Sequence, residues 1–151
     1  MPMPWTYRHS ETEWRRFLAD IRDVMGTASD NVAYTTAEGA FRAFRGRLTV
    51  EETADFAQIL PAMPRALFFE GWRPAPPRPW ADVSTYVSEI KALRADHNFA
   101  TGGALEAVSV ALHRAVGPTP LARALAAIGP EAEVFWSVEG YSAEALAAHG
   151  F

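Results

Sequence analysis

Apolar residues recur at intervals of three and four along most of the chain, as in Phe17, Ile21 and Val24 and again in Phe41, Phe44 and Leu48. That period gathers apolar side chains on one face of a helix. It predicts helices over about 11–25, 31–46, 50–60 and 63–70, then 82–95, 99–115, 118–128 and 130–137. A short tail helix near 142–148, stopped by Gly150, closes the pattern. Strand-like runs are short and none alternates cleanly, so the expected class is all-α. Two stretches carry the signature of a capping box, in which a hydroxyl and a carboxylate satisfy orphan backbone amides: "SETE" at Ser10–Glu13 and "TVEE" at Thr49–Glu52. Pro61 and Pro64 interrupt the periodicity, and Pro64 is expected to start a new short helix.

The pattern is written twice. "FLADIRDV" (17–24) resembles "YVSEIKAL" (86–93), and "NVAYTTAEGAF" (31–41) resembles "NFATGGALEAV" (98–108) after a loop shorter by two. "FF" at 68–69 then meets "FW" at 135–136, and "EGW" at 70–72 meets "EGY" at 139–141. The expected architecture is two tandem four-helix units, about eight helices plus a short C-terminal helix, packed as one pseudo-two-fold bundle. Residues 1–80 form the first unit with a Pro-rich linker at 73–80, and residues 81–151 form a degenerate second unit with the tail. Pro74, Pro76, Pro77 and Pro79 make that linker a stiff strap setting the distance between the units.

Composition narrows the function classes. A chain of 151 residues, 49% hydrophobic and 21% charged, suits one globular domain or two halves sharing a core. Without cysteine it has no disulfide, thiolate metal site or cysteine nucleophile. No apolar run reaches the ~18 residues a membrane span needs, and the start "MPMPWTYRHSETEWRRF" has no signal-peptide core. The expected setting is soluble and cytoplasmic, and the Ala, Arg and Pro content fits a GC-rich bacterial genome. Neither half carries the basic excess that nucleic-acid binding draws on; Arg42, Arg45 and Arg47 form the one local basic cluster, and it reads as a solvated, ion-paired face rather than an anion site.

Candidate chemistry is sparse. His9, His97, His113 and His149 include no pair three or four apart, the spacing a helical metal site wants, so neither metal nor cofactor is expected. "ATGGA" at 100–104 lacks the lysine of a phosphate loop, and its glycines read as a place of close helix packing. Glu51, Glu52, Glu131 and Glu133 sit where a first helical turn favours negative charge. Glu70 stands among large aromatics in "FFEGW", where burial would raise its pKa unless Arg65 or Arg73 pairs with it. Leu67 and Phe68 are expected to point inward, Gly71 to make a left-handed turn, and Trp72 to fold over the open end of the core.

The stretch "AFRAFRGRLTVEETADFAQILPAMPRALFFEGWRP" resembles a bacterial family known as domain of unknown function 2267. The resemblance lies in Arg47-Leu48 at a helix end, "TVEET" at 49–53, the Leu60-Pro61 break, the Phe68-Phe69 pair and "GWRP" at 71–74, with "YRHS" at 7–10 also similar. Thr53 stands where the family usually has alanine, and the second unit has Ile128-Gly129-Pro130 in place of the Leu-Pro break. The resemblance implies a small helical domain and no established activity.

Three readings follow. The first is a non-enzymatic module for protein interaction or homo-oligomerisation, or one that engages another bacterial protein. It rests on Trp5, Tyr7, Trp14, Trp72 and Trp80, with Phe68, Phe69, Glu70, Trp72, Arg73 and Trp80 as the candidate binding residues. The alternative is a small-molecule binder with an apolar pocket between the units, walled by Phe41, Phe44, Phe68, Phe69, Phe135 and Trp136. The third is a hydrolase-like enzyme using Glu70, His97 or His113 as acid or base.

Overall fold

The computed structural model describes residues 3–93 and 103–149, and among these the chain is all-α. In order the helices are α1 (Trp5–Arg8), α2 (Ser10–Met25), α3 (Asp30–Arg45), α4 (Val50–Ala57), α5 (Ala62–Phe69), α6 (Val83–Ala92), α7 (Ala104–Val116), α8 (Pro118–Ile128) and α9 (Pro130–Phe135).

Local chemistry explains most of the boundaries. The Thr49 capping box forms: the Glu52 amide donates to the Thr49 hydroxyl at 3.1 Å, and the Thr49 amide donates to the Glu52 carboxylate at 2.9 Å. The Ser10 box does not. The turn α1 already delivers the chain in helical form, so the Glu13 amide donates to the His9 carbonyl at 3.0 Å and the Ser10 hydroxyl donates back to Tyr7. Nor does Pro64 start α5. Pro61 is its N-cap, and Pro64 lies inside the first turn, where an amide has no intrahelical acceptor and its loss is tolerated. Turns at residues 143–146 replace the expected helix, and the Ala145 carbonyl accepts the Arg114 Nε at 2.7 Å. Gly150, His97 and residues 100–102 of "ATGGA" lie outside the described residues.

Packing is crosswise. α2 lies chiefly against α7, and α3 against α6. Almost every side chain from Ala104 to Leu112 is buried, as expected of a helix covered on all sides, with Glu106 the exposed exception. Close helix approach occurs at Gly39, while Gly103, the described glycine of "ATGGA", shows none. A Cβ on Gly39 would stand 2.9 Å from the Ile90 Cα of α6, whereas one on Gly103 would meet only a Glu106 carboxylate oxygen at 3.7 Å. Gly39→Ala is expected to destabilise the fold by about 1–2 kcal/mol, overpacking outweighing the gain in helix propensity. Urea unfolding would show it as a lowered midpoint with unchanged slope.

A cluster of rings fills the centre. Phe44 has Phe56, Phe135, Trp136 and Trp80 at centroid distances of 4.9, 5.0, 5.3 and 5.9 Å. At one side Asp20 of α2 accepts from Arg114 of α7 at 2.8 Å and from His149 Nε2 at 2.8 Å, which ties the tail to both helices.

Candidate functional site

The "FFEGW" stretch is a helix end with a partial cover. Leu67 and Phe68 face the core, and Gly71 adopts φ 67°, the left-handed conformation that reverses the chain. The Trp72 amide donates to the Phe69 carbonyl at 3.0 Å, and its half-buried ring lies 5.6 Å from that of Phe69. Glu70 is exposed rather than buried among the aromatics. Neither Arg65 nor Arg73 pairs with it: Arg65 donates to the Ala57 and Gln58 carbonyls at 2.9 and 3.1 Å. Arg45 instead reaches this helix end, donating to the carbonyls of Phe68 and Glu70 at 2.8 and 2.9 Å.

The proline strap is pinned to the end of α3. The Arg78 amide donates to the Gly46 carbonyl at 2.8 Å, and Arg47 Nε donates to the Pro79 carbonyl at 3.1 Å. Arg47 also donates to Ala43 at 3.0 Å and to the Glu89 carboxylate of α6 at 2.7 Å, with its guanidinium 4.9 Å from the centre of the Tyr86 ring. The other Glu89 oxygen takes Arg78. A Cβ on Gly46 would stand 2.6 Å from an Arg78 guanidinium nitrogen, so the bare glycine lets that side chain lie across the helix end. The basic cluster is therefore a solvated face only in part: Arg42 is exposed and ion-paired with Glu38. Arg47 is only 5% exposed and serves as a structural hub, while Arg45 reaches the end of α5.

Burial opposes charge on Glu89, but the hydrogen bonds and positive charges of Arg47 and Arg78 outweigh it and hold the carboxyl below its usual range. A depressed carboxylate pKa contributes stability that is present above the unfolded value and lost as pH falls through the folded one. The unfolding midpoint is accordingly expected to drop as pH falls below about 4, and Glu89→Gln should flatten that part of the profile. Chemical denaturation across a pH series measures it.

Between the end of α3 and the strap lies a cleft of about 390 Å³. Arg42, Arg45, Arg73 and Arg78 line it together with Trp72. Of the six candidate binding residues it therefore joins Trp72 and Arg73. Phe68 is core, Glu70 is solvent-facing, and Phe69 and Trp80 are half-buried against the ring cluster.

The expected aromatic pocket is closed. Phe41, Phe44, Phe68, Phe135 and Trp136 are essentially fully buried and touch one another, so the rings fill the space they were expected to wall. The histidines go elsewhere. His113 Nδ1 donates to the Ser109 carbonyl at 2.7 Å, His149 pairs with Asp20, and the His9 ring lies 4.4 Å from that of Trp5. Among the described residues no hydrogen bond or ion pair joins His113 to Glu70, and no group of three or more metal-ligating side chains is assembled.

A second opening was not legible in the sequence. α4 and α8 approach each other across a cleft of about 450 Å³. Phe56 and Ile59 form one wall, Pro120, Ala124, Ala127 and Ile128 the other, and Glu52, Asp55 and Arg123 stand at its edges. The signal, in hindsight, is the pair of alanines three apart on α8, too small to close the gap to α4.

Among the described residues no helix is long and apolar enough to cross a membrane. The chain matches no curated protein. The model of a family described as an uncharacterized conserved protein, DUF2267, matches residues 14–134, from the first turns of α2 almost to the end of α9. With that match over most of its length and the helical fold to go with it, the chain belongs to the DUF2267 family.

Proposed function

We propose that this protein acts by binding rather than by catalysis, and that the cleft between α4 and α8 seats the apolar part of a small ligand. The observation that carries the reading is a space of about 450 Å³ with mostly apolar walls and charged groups only at its edges. That size and lining are those of ordinary small-molecule sites. We further read α2–α5 and α6–α9 as two copies of one unit, within residues 1–80 and 81–151. Support comes from the crosswise packing, since a two-fold relation would pair α2 with α7 and α3 with α6 and bring α4 onto its equivalent α8. The ligand seat would then lie where equivalent helices meet, in a protein of the bacterial cytoplasm.

The test is binding of an environment-sensitive apolar dye, with native mass spectrometry of the purified protein. The dye should brighten on the wild type, and Ala124→Trp, which fills the cleft, should abolish the signal while the fold is kept. No brightening, or equal brightening in the variant, would refute the seat.

A second reading is favoured by one observation. Met3, Trp5 and Tyr7 are each more than half exposed around α1, and aromatics presented this way support self-association with a second copy. Light scattering coupled to size exclusion should then give a dimer that Trp5→Glu disperses; a monomer at every concentration would sink it.

A further inference from the structure

The arginine cleft beside the strap lies apart from the α4–α8 opening and has a different chemistry. We propose that it is a binding site for a small multivalent oxyanion, a diphosphate- or polycarboxylate-bearing ligand, held by Arg42 and Arg73 with the Trp72 ring at its flank.

Four arginines line one cleft of about 390 Å³ in a chain whose net charge is −4. Their existing partners leave part of that charge unanswered. Arg78 is paired with Glu89, but that carboxylate is shared with Arg47. Arg45 is held by two carbonyl dipoles and by no carboxylate. Arg42 pairs only loosely with Glu38 one turn back on α3, at 3.5 Å. Arg73 is exposed and, among the described residues, has no ion-pair partner. The crowding shows at Arg45, whose pKa is lowered first by burial and then by the neighbouring charge of Arg42, with Glu38 offsetting only part of it.

The scaffold favours a ligand rather than collapse of these side chains into salt bridges. Arg45 is tethered to the end of α5 and Arg78 to Glu89 of α6, so they supply a fixed positive wall. Arg42 and Arg73 are the adjustable arms, and each guanidinium presents a planar fork suited to two oxygens of one anion. The Arg42 guanidinium reaches the Gly71 turn, lying 3.9 Å from where a Cβ on that residue would stand. Two exposed, loosely partnered forks beside two tethered ones match an anion with oxygens at both ends better than a single chloride ion. The shared chemistry is an oxyanion pair, which a diphosphate or a polycarboxylate supplies equally.

Isothermal titration at low ionic strength with inorganic pyrophosphate and with citrate separates the two sources. At least one should bind with a dissociation constant of about 1 mM or tighter, with sodium chloride at matched ionic strength giving no saturable heat. Arg73→Gln and Arg42→Gln should each weaken the binding about tenfold, the worth of a charge-assisted hydrogen bond. Lys91→Gln, an equal charge change at an exposed position of α6, should leave it unchanged. Neither arm supports the strap, so thermal midpoints of both variants should match the wild type. Tighter pyrophosphate identifies phosphate as the ligand group, and tighter citrate identifies carboxylate. Absence of binding to both anions, no loss in the arginine variants, or equal loss in Lys91→Gln would overturn the proposal. Because Ala124→Trp leaves this cleft untouched, the result is independent of the apolar seat.

Discussion

Phe44→Ala is expected to destabilise the protein by about 3–5 kcal/mol, a large share of what holds a domain of this size together. Phe44 lies fully buried on α3, and its ring meets side chains of α4, α9 and the strap at once. Removing it opens a void that no single helix can close, since each neighbour is also fixed by other partners. Phe56 is held by Phe68, and Phe135 by Tyr86 and Trp136. Phe44→Leu refills most of the volume and should lose much less. Urea unfolding of the two variants gives the comparison, and equal losses would show that edge-to-face ring contacts, rather than cavity volume, dominate the site.

Arg47→Ala is expected to cost about 3 kcal/mol or more, as when one member of a largely buried ion pair is deleted. The residue links α3, the strap and α6 through the Ala43 and Pro79 carbonyls and the Glu89 carboxylate, and its flat face lies over Tyr86. Arg47→Lys restores the charge but not the fork, so it should recover only a minor part. If lysine rescued fully, the charge alone would be what matters. Protease sensitivity of the strap near Pro79 offers a second readout, because loss of Arg47 frees that carbonyl while leaving the Arg78 amide bond to Gly46 in place.

Features governed by neighbours in the chain were legible from sequence. The helical class, most helix spans, the Thr49 capping box and the Gly71 turn all depend on residues within four positions of one another. Failures arose where a distant partner decides. Arg47 reads as one of three surface arginines because its acceptors at Pro79 and Glu89 lie 32 and 42 residues away. Gly39 carries no sign of close approach until Ile90 is brought against it. The rings at 41, 44, 68, 135 and 136 were read as a pocket wall because residue type alone does not distinguish rings that surround a space from rings that occupy it. Of the candidate binding residues, Trp72 and Arg73 do line a cleft, but the arginines that complete it come from α3 and from the strap, on either side of α4 and α5.

The pinned strap also bears on how the two sets of helices find each other. Since α2 meets α7 and α3 meets α6, the apolar faces of α2–α5 are answered mainly by helices that follow the strap. A second chain carries the same answering helices, so exchange of halves between copies competes with closure within one copy. Linker length and stiffness set the effective concentration of one half around the other. Four prolines between residues 73 and 80, anchored at Gly46 and Arg47, keep the strap from wandering and favour closure within the same chain. By this logic the prolines guard against exchange of halves between copies as much as they stabilise any one conformation, and a flexible substitute would widen the route to domain-swapped assemblies.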